Sequence, residues 1–238
     1  MNPRKTWLAV AAFATAMAWM ESATVAYLRT LVQRVQPYQS NPLPLGGAFA
    51  GTELVRELAT LLMLATVGWL AGRTARSRLA YAVLAFGIWD ILYYVFLLVI
   101  VGWPGSVWDW DVLFLLPLPW WGPVLAPALV ALFMIAGATL VTEFEHRRLW
   151  PRRWALALNG LGAAIALVVF MEDALRALPG GEAAIRAALP AHFDWPWFLV
   201  ALALMSASIV DLVWQLSGPG SQVPISQPRL GSNAVAGD

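Results

Sequence analysis

Carboxylic acids set inside apolar stretches are the residues of this chain with the most chemistry to offer. Glu21, Glu57 and Asp90 lie well within such stretches, and Glu53, Glu172 and Asp173 lie nearer the ends of theirs. An ionisable side chain at the centre of a membrane-spanning helix costs about 2.5–3.5 kcal/mol on the mildest insertion scale, so it turns toward a partner or a polar cavity. Glu53, Arg56, Glu57 and Thr60 recur at intervals of three and four and share one helical face. Arg56 can neutralise one carboxylate there through a forked pair and leave the other to bind a cation. Asp90 is followed at plus three and plus four by Tyr93 and Tyr94. A carboxylate backed by aromatic faces suits an organic cation or a developing carbocation, and an Asp–Tyr brace is the structural alternative. The expectation is that Glu21, Glu57 and Asp90 converge on one cavity with Tyr93 or Tyr94 in its wall. Oxygen donors of this kind also suit a hard divalent metal ion, for which the same three acids are the candidate ligands and which would be the cofactor.

The stretch 102–121, GWPGSVWDWDVLFLLPLPWW, is too short and too broken by proline to span a bilayer, yet it is rich in Trp and Leu. It reads as an interfacial or re-entrant segment, either an aromatic belt or a lid whose Asp109 and Asp111 face the cavity. Elsewhere, Asn159, Gly162, Ala166 and Asp173 form a stripe whose small residues permit close helix contact. Asp211, flanked by Ser208 and Gln215, is either an inner polar step or a helix–helix hydrogen bond. Glu143 and His146 make a single Glu-x-x-His pair, whereas a di-iron bundle needs two pairs and two more glutamates. No Walker loop, dinucleotide glycine fingerprint, GxSxG elbow or HExxH pair occurs. Without cysteine there is no disulfide or thiolate chemistry.

The elements that must position these residues are membrane helices. The 238 residues are 60% hydrophobic and 12% charged, with mean hydropathy +0.67, far more apolar than a soluble domain. Spans at about 7–28, 51–72, 79–101, 120–142, 154–174 and 197–216 each approach the ~20 residues needed to cross a ~30 Å core. The fold expected is therefore all-α, a polytopic bundle of about six transmembrane helices over 1–216, with a disordered cytoplasmic tail at 217–238. Gly122, Pro123 and Pro127 suggest a kinked or unwound outer end of the fourth span. The first span could instead be a signal peptide cleaved after Ala16 or Ala18, although its helical stretch continues through Glu21 to Arg29. Nine arginines and lysines lie in the N-terminal segment and the even-numbered loops against four in the alternate loops. That places both termini in the cytoplasm and the 102–121 segment outside. These basic clusters are topology signals, and nucleic acid is not an expected partner.

ESATVAYLR at 21–29, ELVRELAT at 53–60 and FGIWDILYY at 86–94, followed by GWP and by WDWDVLFLLPLPWWGPVLAP at 108–127, together resemble a family of bacterial multi-pass, about six-span membrane proteins with no assigned activity. The resemblance covers roughly the first two-thirds of the chain and implies a plasma (inner) membrane protein without naming a function. Three functions remain open from the residues. The first is an outward-opening cavity that binds or transports a cation, through Glu21, Glu57, Asp90, Tyr93, Tyr94, Arg56, Asp109 and Asp111. The second is an intramembrane acid/base enzyme, an isomerase or cyclase acting on a lipid or isoprenoid. The third is an accessory subunit of a larger membrane complex or homo-oligomer, in which the acids brace helices.

Overall fold

The computed structural model describes residues 3–33, 35–38, 47–115, 117–147, 149–190 and 192–217, with residues 47–50 and 186 described by backbone alone. Beyond Ser217, the expected tail lies outside the described residues, as do Pro42, Pro44 and Gly46 of the first outer loop. The chain runs as α1 (Pro3–Leu31), α2 (Gly47–Ala71), α3 (Ala75–Val101), β1 (Trp110–Val112), β2 (Trp121–Pro123), α4 (Leu125–Glu143), α5 (Arg153–Ala177), α6 (Gly181–Ala187) and α7 (Trp195–Ser217). Among the described residues, six helices are long and apolar enough to cross a membrane, all but α6. Large apolar side chains such as Leu62, Trp69, Leu70, Val99 and Trp214 stand exposed on the outside of the bundle, the inverse of a soluble protein. This is an all-α polytopic membrane bundle.

The central helix is α3, which packs against α1, α2 and α4, while α5 pairs with α7 and α7 leans on α4. Its 27 residues give a rod about 40 Å long. Thr74 starts it with a capping box, its hydroxyl accepting from the Ser77 N–H (3.2 Å) and its own N–H donating to the Ser77 hydroxyl (3.0 Å). Gly102 ends it at φ 69°, a left-handed conformation that glycine adopts without penalty, its N–H donating to Leu98. Small residues let the neighbours close in. Ala14 and Ala18 of α1 share a buried core with Leu84, Ala85 and Trp89 of α3. A Cβ on Gly87 would lie 2.9 Å from the Ala131 carbonyl oxygen of α4. Across the second pair, a Cβ on Gly162 would lie 2.5 Å from the Ala201 carbonyl oxygen, so α5 and α7 meet backbone to backbone.

One expectation about elements is corrected. Residues 120–124 are not the start of the fourth helix: Trp121–Pro123 form β2, paired antiparallel with β1 so that Asp111 faces Gly122. Part of the 102–121 segment thus belongs to a short hairpin that folds over one end of the bundle. The outer end of the expected fourth span is accordingly unwound, and Pro127 sits in the first turn of α4, where its missing N–H has no helical partner to lose.

Candidate functional site

A cavity of about 160 Å³ lies between α1, α2 and α3 beneath the chain that leaves β1. Glu21, Glu57, Asp90, Tyr93, Tyr94, Arg56 and Asp111 all line it, together with Glu53. All but Asp111, which β1 supplies, arrive from helical faces: Glu21 and Arg29 from the outer part of α1, Glu53, Arg56, Glu57 and Thr60 from the first part of α2, and Asp90, Tyr93 and Tyr94 from the second half of α3. Successive helices run antiparallel across a membrane, so these three stretches fall at the same depth.

The acids differ in how they are satisfied. Arg56 is ion-paired with both Glu21 on α1 and Glu53 one turn before it, its Nε donating to Glu53 Oε2 at 3.0 Å. Thr60 donates to the other oxygen of Glu21 at 3.2 Å. The single pair expected within α2 is therefore a three-residue bridge between two helices. Glu57, the acid that Arg56 leaves, accepts instead from the backbone N–H of Leu115 at 3.0 and 3.1 Å, which ties the hairpin to α2.

Arg29 is a residue of the candidate site that sequence reasoning passed over. It donates to Asp111 Oδ1 at 2.7 Å and to the Tyr93 hydroxyl at 3.4 Å, and its guanidinium lies 4.3 Å from the centroid of the Trp103 ring. Arg29 stands two helical repeats of four after Glu21, with Val25 between them, and all three line the cavity. That spacing is the signal that could have found it. Asp111 is fully buried, and its Oδ1 also accepts from the Val112 N–H at 2.9 Å. Burial pushes its carboxyl above the ordinary carboxylate range, while the Arg29 guanidinium beside it pulls the other way.

Asp90 is set apart from the other four. It is only 9% exposed, and its Oδ2 is buried with no hydrogen-bond partner among the described residues. Around it run aromatic rings: Trp89 stacks on Tyr93 at 6.2 Å between centroids, Tyr93 meets Tyr94 edge-on at 5.0 Å, and Phe114 lies 6.4 Å from Trp89.

Asp109 does not join this cavity. Its Oδ2 accepts from the N–H groups of Gly105 (2.8 Å) and Ser106 (3.3 Å), and so holds the turn before β1. The expectation that Asp109 faces the cavity is corrected, because its short side chain is used up on the backbone N–H groups three and four residues before it. The metal expectation meets a similar obstacle. Among the described residues, no group of three or more His, Asp or Glu side chains is placed to hold a metal ion. Glu21, Glu57 and Asp90 share the cavity, but Glu21 is turned to Arg56 and Glu57 to Leu115.

Two further acids have partners outside this cavity. Glu172 pairs with Arg176 at 2.6 Å on an exposed face of α5. Asp211 is buried at the opposite end of the bundle, accepting from the Arg152 N–H (2.7 Å) and from Gln215 (2.9 Å), which ties the segment before α5 to α7. Comparison with protein families, with curated proteins and with solved structures finds no match to this chain.

Proposed function

We propose that this membrane protein binds a small cation in the cavity between α1, α2 and α3. The observation that carries the reading is the charge of the wall, where five carboxyl side chains stand against the two guanidiniums of Arg29 and Arg56. Both guanidiniums are already committed, Arg29 to Asp111 and Arg56 to Glu21 and Glu53. An excess of acid in a low-dielectric cleft concentrates negative potential and raises the local concentration of cations. The aromatic rings beside Asp90 favour an organic monocation over a hard metal ion, which would need a ring of free oxygen donors. The arginine pattern of the loops supports an outward-facing cavity in the plasma membrane, so capture from the outer side is the step assigned to it. Passage onward would make the protein a transporter, with this cavity as its outer binding site.

Native mass spectrometry, combined with metal analysis of protein purified in detergent, tests the proposal. A retained small organic cation, or thermal stabilisation when one is added, is the expected result. Protein that responds to no cation and instead carries an isoprenoid, or copurifies with a second membrane protein, would favour the enzyme or the subunit reading.

A further inference from the structure

Resting on the cation-binding reading, we infer that the occupant is a small amine cation that keeps at least one N–H. The Asp90 carboxylate is its acceptor, and the rings of Trp89, Tyr93, Tyr94 and Phe114 surround it.

The inference starts from an inventory of donors. Of the acids on the cavity wall, Glu21 and Glu53 receive Arg56, Glu57 receives the Leu115 N–H, and Asp111 receives Arg29. The Oδ2 of Asp111 is likewise without a partner, but Asp90, nine-tenths buried and lining the cavity with an orphaned Oδ2, is the one acid of this wall that receives no hydrogen bond among the described residues. A buried polar group without a partner is costly, so a ligand that brings a donor gains more here than one that brings charge alone. That separates the candidate cations. A quaternary ammonium has no N–H to give. A divalent metal ion requires several oxygen ligands, six or more for Ca, and the neighbouring acids are held by their own donors. A protonated amine satisfies the carboxylate with one N–H and presents its remaining charge to the rings. Those rings form a continuous wall, Phe114 to Trp89 to Tyr93 to Tyr94, which is the surface that stabilises an ammonium by cation–π attraction.

The volume sets the size. A cavity of about 160 Å³ is close to the roughly 150 Å³ that accommodates benzene in an engineered protein core. The ligand portion that enters therefore has about as many non-hydrogen atoms as benzene, which a short alkylamine meets and a long polyamine does not. The same ammonium chemistry is offered by a free amine in solution and by the headgroup of an ethanolamine lipid.

The test uses the full chain in nanodiscs and two probes of equal heavy-atom count, n-butylammonium and tetramethylammonium, titrated calorimetrically. In phosphatidylcholine discs, n-butylammonium is expected to bind at least tenfold more tightly than tetramethylammonium, and Asp90→Asn is expected to abolish that preference. Discs containing phosphatidylethanolamine distinguish the source. A several-fold weaker apparent affinity for n-butylammonium there identifies the lipid headgroup as a competing occupant, and an unchanged affinity identifies a free amine; both outcomes support the inference. Equal affinity for the two probes in wild-type protein, or tighter binding of magnesium or manganese than of either, overturns it while leaving the cation-binding reading in place. Binding of no cation at all removes both. The comparison of probes on wild-type protein needs no variant, so it stands even if Asp90→Asn folds poorly.

Discussion

At the scale of single residues, charge pairing decides what the cavity can do. Arg29 and Asp111 form a buried ion pair that joins the end of α1 to β1. Removing one member leaves the other charged and without its partner away from water, which typically costs about 3–5 kcal/mol. Asp111→Leu should therefore lower the unfolding free energy by about 3 kcal/mol or more, read from denaturant titration in detergent. The double variant Arg29→Met with Asp111→Leu should recover most of that loss. By contrast, Arg176→Ala, which breaks the exposed pair with Glu172, should change stability by less than about 0.5 kcal/mol. Much of this site was legible residue by residue, because helical periodicity alone puts Glu53, Arg56, Glu57 and Thr60 on one face. Partners distant in sequence were not. No local spacing connects Arg29 to Asp111 or Glu57 to Leu115, and the choice of Arg56 between Glu57 on its own helix and Glu21 on another is made by packing.

At the scale of elements, the helices were readable because hydropathy reports burial in lipid directly. Five of the observed spans overlap the expected ones to within a few residues at each end. The exception is the region before α4, where Trp120, Trp121, Gly122 and Pro123 are apolar but extended. Hydropathy cannot distinguish a short apolar strand from the first turn of a helix, and here the pairing of β2 with β1 settles the matter. Asp109 was misread for a related reason, since a regular strand would have pointed Asp109 and Asp111 the same way, whereas Asp109 lies just before β1 and bonds back into the turn that precedes it. The close contact of α5 with α7 gives a clean test at this scale. Gly162→Ala drives a methyl group against the Ala201 carbonyl oxygen and should cost about 1–3 kcal/mol, whereas nothing lies within 4 Å of a Cβ on Gly160. Gly160→Ala should therefore leave the melting temperature unchanged or raise it, and the two variants can be compared in the same thermal-denaturation experiment.

At the scale of the whole molecule, the two ends of the bundle differ in chemistry. One end carries Arg4 beside Glu143, and Asp211 with Arg152 and Gln215 in a tied linker. The other carries the hairpin and the acidic cavity. The topology proposed from the arginines makes the first end cytoplasmic, and reporter fusions after residues 76, 108 and 150 should read inside, outside, inside. The absence of cysteine allows the same question to be asked with Arg76→Cys and Trp108→Cys labelled by an impermeant reagent. Labelling of Arg76→Cys from outside intact cells would invert the proposed orientation and turn the cavity toward the cytoplasm.

The central claim is that Asp90 is the receptor group of a cation-binding cavity, and one comparison tests it most directly. Equilibrium binding of n-butylammonium should be measured by calorimetry for wild-type protein, Asp90→Asn and Glu172→Gln, at equal folded abundance. Asparagine approximately preserves the shape of Asp90 while removing its charge, and Glu172 is an acid outside the cavity. Affinity reduced at least tenfold in Asp90→Asn and unchanged in Glu172→Gln is the predicted result. Unchanged affinity in Asp90→Asn would contradict the account and remove Asp90 as the receptor group.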